Sequence, residues 1–215
     1  MKRELLIGAA SELDLRISDA QIHACEQLLQ ELSRWNKRIN LTAITKPEEM
    51  TVKHLVDSLQ LVPLLAEGDR VLDIGSGAGF PAIVLAIMRP DCQISSIDAV
   101  SKKISFQKHV GRMLQLENLA PRHGRVEELA QTRPGYFDLV TSRAFSSLEQ
   151  FCRLAYPLTR SGGRILSMRS GGGVHELRQL QAGLELLGLS PEQTLTYSLP
   201  LNLGQRSLII LRKTR

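Results

Sequence analysis

Aromatic side chains are scarce in this 215-residue chain, which carries five Phe, three Tyr and one Trp. The shortage argues against a module that holds single-stranded nucleic acid by stacking successive bases on several rings. Cysteine is scarcer still: Cys25, Cys92 and Cys152 stand far apart, with no C-x-x-C pair and no histidine at ligand spacing. A structural zinc site needs about four such ligands in tight pairs, so no metal is expected. The three read as ordinary thiols of a reducing cytosol. No apolar run approaches the roughly 18 residues of a membrane span. The opening MKRELLIGAASELDL starts basic but includes Glu4, Glu12 and Asp14, and it lacks the continuous apolar stretch of a signal peptide. A cytoplasmic protein with no membrane partner is expected.

Apolar residues make up 43% of the chain, enough for a core of ordinary size. The length predicts one domain, or one domain with a short appendage. Lys and Arg number 27 against 22 Asp and Glu, a formal net charge of +5 that suits an anionic partner. There is no internal repeat and no low-complexity linker.

The first third reads as helix. Ser18-x-x-Gln21 has the form of a capping box, followed by Ile22, Cys25, Leu28, Leu29, Leu32 and Ile39 on one helical face, with an end expected near Asn40. Thr45-x-x-Glu48 reads as a second capping box, opening a helix with Val52, Leu55, Val56 and Leu59 buried and Pro63 as its stop. Residues 1–66 are thus expected to form an N-terminal helical extension, and residues 67–215 a second region that makes one structural unit with it.

From residue 70 short β-rich runs alternate with helical stretches. The runs are RVLDIG (70–75), QISSID (93–98), LAPRH (119–123), FDLVTS (137–142) and GGRILSM (162–168). Helix-compatible segments lie near 80–89, 101–116, 126–131, 147–157 and 174–187. This alternation indicates βαβ crossovers and a parallel sheet covered on both faces. TLTYSLP (194–200) and RSLIILRK (206–213) have no helix between them and predict a terminal hairpin, with one strand antiparallel to the rest. The expected fold class is therefore α/β. A mostly parallel seven-stranded, Rossmann-like sheet ending in a hairpin is the arrangement of class I S-adenosylmethionine-dependent methyltransferases, whereas an NAD dehydrogenase repeats βαβ in both halves.

The strongest local signal is Val71-Leu72-Asp73-Ile74-Gly75-Ser76-Gly77-Ala78-Gly79-Phe80-Pro81, a strand running into a glycine turn that opens a helix. Gly75 permits the sharp turn, Gly77 permits a ligand to approach the backbone, and Gly79 permits close packing of helix on strand. Phe80 stands where a dinucleotide fingerprint carries its third glycine, and no Gly-Lys-Ser/Thr follows, which excludes a P-loop. Asp98 ends the second strand 23 residues after Gly75. A carboxylate there reads either as a helix cap or as the acceptor for both hydroxyls of a ribose. Spacing alone leaves open which adenosine cofactor is bound.

The residues RWNKRINLTAI (34–44), HLVDSL (54–59), VLDIGSGAGFP (71–81), SIDAVSKK (96–103), GRVEEL (124–129) and SRAFSSL (142–148) resemble the bacterial 16S rRNA (guanine-N7) methyltransferase G family (RsmG, or GidB). The resemblance runs from the first long helix to the end of the chain. It implies a class I fold, S-adenosyl-L-methionine as cofactor, and methyl transfer to a guanine N7 in the decoding-region loop of 16S rRNA, with the small ribosomal subunit as partner and a monomeric enzyme. By motif, Gly75, Gly77 and Phe80 become glycine-turn contacts to the cofactor, with Asp98 on the ribose. Val126 and Glu127 become the pair at the adenine end, and Arg143 the arginine after the fourth strand. Where the family commonly has Lys-Gly after the fifth strand, this chain has Met168-Arg169-Ser170 and three glycines, so Arg169 keeps the charge with a different donor geometry.

Each of these residues has a plainer reading. Phe80 fills core, Glu127 and Glu128 start a helix favourably to its dipole, and Arg143 pairs with the cofactor's carboxylate or with an RNA phosphate. Guanine N7 is an unprotonated acceptor, so its methylation needs no general base. Catalysis then rests on alignment and charge stabilisation, with Arg143 positioning the reactants and Phe145 either stacking on the base or packing. The Asn/Asp-Pro-Pro-aromatic motif of adenine-N6 enzymes is missing after FDLVTS.

For RNA phosphates, residues 102–125 hold Lys102, Lys103, Lys108, Arg112, Arg122 and Arg125 against Glu117 alone. Arg169, and Arg206 with Arg212, Lys213 and Arg215 in the tail, add to the candidates, as do Arg34, Lys37 and Arg38 beside Trp35. His54 and Asp57, three apart, read as helix-to-domain contacts or as substrate-side residues. A non-catalytic cofactor-binding assembly factor and an NAD-type oxidoreductase are the competing readings.

Overall fold

Leucine- and β-branched-rich runs become the central strands of one seven-stranded sheet. A computed structural model describes residues 1–143, 145 and 147–214, with the side chain of Gln181 outside the description; Ala144 of the SRAF motif and Arg215 of the basic tail therefore lie outside the described residues. The strands are β1 (Arg70–Ile74), β2 (Gln93–Asp98), β3 (Leu119–His123), β4 (Phe137–Ser142), β5 (Thr159–Ser170), β6 (Leu189–Ser198) and β7 (Gln205–Lys213). Their spatial order is β3-β2-β1-β4-β5-β7-β6. β1 lies between β2 and β4 in parallel register, Val71 opposite Ile94 on one side and Leu139 on the other. β7 runs antiparallel to both β5 and β6 and is the reversed strand of the expected hairpin.

Two strands are longer than their sequence signals. β5 starts at Thr159 rather than at residue 162, because Thr159 already pairs with Phe137 ahead of a β4–β5 register shift that takes in Gly162 and Gly163. A Cβ at Gly163 would press on the Asp138 and Arg160 carbonyls, so the Ser-Gly-Gly run marks an irregular strand and not a turn. β6 begins at Leu189 and carries Pro191 beside a second register shift, as an edge strand permits.

The parallel strands are joined by α5 (Ala82–Met88), α6 (Ser101–Met113), α7 (Val126–Thr132) and α8 (Leu148–Ala155), and α9 (Gly173–Leu186) leads from β5 to β6. Before the sheet come α1 (Arg3–Glu12) and α2 (Asp19–Ile39). The Ser18/Gln21 capping box forms, Ile22, Cys25, Leu28, Leu29 and Leu32 are buried as the periodicity requires with Ile39 half-buried, and Asn40 closes the helix in the left-handed region. α1, in a segment whose sequence offers no clear cap, buries Leu6, Ala9 and Ala10.

The second capping box does not form. The helix starts at Pro47 after Lys46, which makes no side-chain cap, and proline at the first position needs none for its missing N–H. The segment is also not one helix. α3 (Pro47–Met50) gives way to π-helix at Thr51–Val56 and then to α4 (Asp57–Leu59). Val52, Leu55, Val56 and Leu59 are all buried, and Pro63 lies in a 3₁₀ turn beyond.

Core residues of the leading helices and of the sheet form one cluster: Leu6, Leu28, Leu32, Leu55 and Leu59 join Val71, Ile83 and Phe106. Trp35 packs edge-on to Phe106 with ring centres 5.6 Å apart. The opposite face of the sheet, with Leu72, Val140 and Ile165, is covered by Phe151, Cys152 and Leu184 of α8 and α9. All three cysteines are buried and unpaired. No described helix is long and apolar enough to cross a membrane.

Because the two regions share a core, Leu32→Ala should destabilise the whole chain by about 2–5 kcal/mol and leave a single unfolding transition. Urea titrations followed by far-UV circular dichroism and by Trp35 fluorescence check this; separate midpoints for the two probes would refute the shared core.

Candidate functional site

Parallel strands deliver their C-terminal ends to one edge of the sheet, and the marked residues gather there. At the end of β1 the chain turns through Gly75, Gly77 and Gly79, all with positive φ. The Gly75 and Ser76 N–H groups donate to the Ile97 carbonyl on β2 at 2.9 and 3.2 Å. A Cβ on Gly79 would collide with the Ile83 side chain, whereas one on Gly77 would meet no protein atom within 4 Å. Gly79 is thus required for packing, and Gly77 leaves an open approach to the backbone.

The turn is held from behind by Gln107 of α6, which is fully buried. Its Nε2 donates to Ser76 Oγ and to the Gly77 carbonyl, both at 2.8 Å, and its Oε1 accepts from Ser96 Oγ at 2.6 Å. Sequence reasoning missed this residue. Its signal is a lone amide on the apolar face between Ile104 and Val110, three residues from each.

Asp98 is nearly buried at the end of β2. Its Oδ2 accepts from the Gly77 N–H at 2.9 Å, its Oδ1 from the Val100 N–H at 2.8 Å, and Lys103 Nζ lies 3.8 Å away. Gly124 donates its N–H to the Asp98 carbonyl at 3.2 Å, which brings the start of α7 alongside. There Val126 is buried and Glu127 exposed. Gly75, Gly77, Asp98, Val126 and Glu127 therefore follow the adjoining ends of β1, β2 and β3.

Asp73, one residue before the end of β1, is fully buried. Its Oδ2 accepts from the Ala82 N–H at 3.3 Å, and its Oδ1 has no partner among the described residues. Burial pushes this carboxyl up to about 7, against the Ala82 N–H and the charge of Arg143.

A second cluster lies at the ends of β4, β5 and β7. Arg143 donates Nη1 to the Lys53 carbonyl at 2.7 Å, and its Nη2 lies 3.3 Å from His54 Nδ1. A guanidinium only donates, so Nδ1 accepts and the His54 proton sits on Nε2, 3.3 Å from Thr42 Oγ1. The His54 ring stacks on Phe80 with centroids 4.4 Å apart. Burial, with Arg143 and Lys53 nearby, lowers its pKa to about 3 and keeps it neutral. Asp57 Oδ1 accepts from the Tyr197 hydroxyl at 2.8 Å, while Arg143 and Arg206 each approach the carboxylate to 3.9 Å. Burial raises the Asp57 pKa, opposed by Arg143, Tyr197 and Arg206. Both residues of the His54/Asp57 pair thus tie the leading helices to the sheet.

These groups surround a cavity of 240 Å³ lined by Lys53, Asp57, Arg143, Met168, Arg169 and Arg206, among others. Arg169 is tied inward: it donates to the Phe145 carbonyl at 2.6 Å and pairs with Glu176, whose other oxygen accepts from the Leu148 N–H. Phe145 packs on Phe151 with ring centres 5.5 Å apart. Of the basic candidates, Lys102, Arg122 and Arg125 are exposed, Lys103 leans on Asp98, and Arg169 and Arg206 face the cavity.

Comparison with known proteins is consistent in fold and family. A sequence model of the family described as rRNA small subunit methyltransferase G matches residues 21–208. A "Ribosomal RNA small subunit methyltransferase G" of Geobacter metallireducens is 43% identical, over 97% of this chain and 95% of the relative. One of Burkholderia ambifaria is 39% identical, over 96% and 90%. Among solved structures, a precorrin-6y C5,15-methyltransferase of Geobacter metallireducens superposes with a TM-score of 0.56 at 18% identity, covering 81% of this chain and 92% of that one. TYW2 of M. jannaschii, solved in complex with AdoMet, gives 0.59 at 14% identity, with 73% of each chain covered. These structures show the class I methyltransferase fold.

The orphaned Asp73 carboxyl has a measurable consequence. A carboxyl whose native pKa lies above the ordinary 3.8 favours the protonated native state. Its stabilising contribution is full below about pH 4 and is lost as pH rises through about 7. Asp73→Asn does not titrate, so its stability relative to wild type should rise by about 2–3 kcal/mol between about pH 5 and about pH 8. Urea unfolding at both pH values measures it, and a difference independent of pH would sink the assignment.

Proposed function

The chain belongs to the rRNA small subunit methyltransferase G family, and on that premise we propose that it methylates N7 of a guanine in the decoding-region loop of 16S rRNA. The observation that carries the reading is the open backbone of Gly77 beside the buried Asp98 carboxylate, with the unpartnered Asp73 oxygen behind it. These residues fit S-adenosylmethionine. Gly77 admits it to the backbone, and Asp98, with lone pairs left on both oxygens, serves the ribose hydroxyls. Val126 and Glu127 serve the adenine end, Phe80 flanks the turn, and Asp73 keeps an acceptor for a donor that no described residue supplies. S-adenosylmethionine held there would supply an electrophilic methyl group for the guanine N7 lone pair, with its sulfur as the leaving group.

Guanine N7 carries no proton, so the protein has none to remove. Its own task is to align the base and to offset the positive charge the ring acquires. Arg143 is the positioning residue: Lys53 and His54 hold two of its nitrogens, its guanidinium lies 5.7 Å from the centre of the Phe80 ring, and the residue lines the cavity. Lys102, Arg122 and Arg125 offer exposed charge for RNA phosphates, Lys103 stands beside Asp98, and Arg169 and Arg206 line the cavity proposed for the reacting base. Residues 1–66 and 67–215 work as one unit, and the proposal includes a cytoplasmic monomer acting on 16S rRNA or the small subunit.

The test uses purified protein, methyl-labelled S-adenosylmethionine and small subunits from a strain lacking the modification, with the labelled base mapped by mass spectrometry. Label at one guanine N7 is expected. Cofactor binding without transfer would leave only a binding role in assembly. Gly77→Ala projects a methyl group into open space and places alanine in the left-handed region, a cost of about 1–2 kcal/mol. The variant should stay folded yet bind S-adenosylmethionine at least tenfold more weakly by calorimetry; unchanged affinity would refute the assignment of the turn.

A further inference from the structure

Asp57 is buried to 2% exposure, yet protein contacts use only part of its hydrogen-bonding capacity. Oδ1 accepts from Tyr197 at 2.8 Å. Arg143 Nη1 stands 3.9 Å from Oδ2 and Arg206 Nε 3.9 Å from Oδ1, both beyond hydrogen-bond reach. Among the described residues Oδ2 has no hydrogen bond, and Asp57 lines the 240 Å³ cavity. A buried carboxylate left short of donors is costly, so one kept at a cavity wall implies a ligand that brings donors of its own.

The other lining residues narrow that ligand's chemistry. Lys53, Arg143, Arg169 and Arg206 are cationic, Ile44 and Met168 are apolar, and Asp57 is the one carboxylate among them. A pocket for phosphate alone gains nothing from a buried anion. A carboxylate beside guanidinium groups suits a group that presents donors next to an acceptor. The Watson–Crick edge of guanine does so, with N1–H and the N2 amino group beside O6. Adenine presents the reverse order, and uracil offers a single N–H between two acceptors. The volume is below the roughly 300–1,000 Å³ of pockets for drug-sized ligands, and suits one extruded base.

We infer that Asp57 reads the Watson–Crick edge of the target guanine, accepting from N1–H and the N2 amino group while Arg143 or Arg206 donates to O6. The inference rests on the guanine reading above and adds the residue that selects the base. The π-helical turn at Thr51–Val56 precedes Asp57 directly and delivers it to the strand ends, a placement common for functional residues. The same contact strengthens as the ring becomes cationic, so part of it acts on the rate and not only on binding.

Inosine keeps N7, O6 and N1–H but lacks the N2 amino group, and it separates base reading from a structural role. Small subunits reconstituted with ligated 16S rRNA carrying guanosine or inosine at the modified position are the substrates, and kcat/KM is measured on both. Wild type should prefer guanosine by roughly ten- to a hundredfold, the effect of a hydrogen bond to a charged group. Asp57→Ala should bring the ratio to within about twofold of unity by the loss of that one contact. Asp57→Asn, isosteric and with one acceptor oxygen instead of two, keeps the test valid if the alanine variant unfolds, and should lower the ratio severalfold. An equal loss on both substrates in the variants would make Asp57 merely structural and overturn the inference. A wild type indifferent to the amino group would overturn it while leaving guanine methylation standing, and methylation of neither substrate would overturn both.

Discussion

Parallel pairing of β1 with β2 and β4 forces every intervening helix to carry the chain back, so the strands all release their C-terminal ends on one edge. The glycine turn leaves β1 at that edge, Asp98 leaves β2, and Arg143 leaves β4. A sheet covered on both faces has no room for charge in its interior, so polar chemistry collects where the strands stop. The reversal at β7 adds one element to this edge. Because β7 is antiparallel, the edge receives its start, and with it Arg206.

The leading helices complete this edge and do more than cover a face. Lys53, His54 and Asp57 all come from the segment around the π-helical turn, and each meets Arg143. Phe80 is held between the glycine turn and the His54 ring. The helical preface therefore shares both a hydrophobic core and a polar network with the sheet. This explains why a generic dinucleotide-binding sheet would have the cofactor side of the site but lack the Asp57 wall.

Several groups here are costly in isolation. Asp73 is buried with an oxygen unpartnered among the described residues, His54 is buried neutral beside two cations, and Gln107 is fully buried, its amide nitrogen bracing a turn and its amide oxygen accepting from Ser96. Such costs persist where surrounding packing holds the groups in place, here Ile83, Phe106 and Phe151, and where a ligand completes the hydrogen bonding. The placement of these groups at one edge is the physical mark of a binding site.

Strands 93–98 and 137–142 were legible to the residue because buried parallel strands are short apolar runs between breakers, a signal contained in a few neighbours, and the more exposed edge strand 119–123 was legible with the same bounds. The glycine turn was legible for a similar reason, since positive φ and close packing exclude other residues locally. Sequence also misled in places: Thr45 looked like a cap, but Pro47 opens the helix without one, and β5 starts three residues before the run that signals it. Hidden altogether were the π-helical shift, the Gln107 brace and the unpaired oxygen of Asp73. So were the contacts of Arg143 with Lys53, 90 residues away, and of Tyr197 with Asp57, 140 residues away. Backbone sterics and periodicity act between near neighbours and are written in the chain. Hydrogen bonds between distant residues have no local signature, and they come into being when the crossovers bring the strand ends and the leading helices to the same edge.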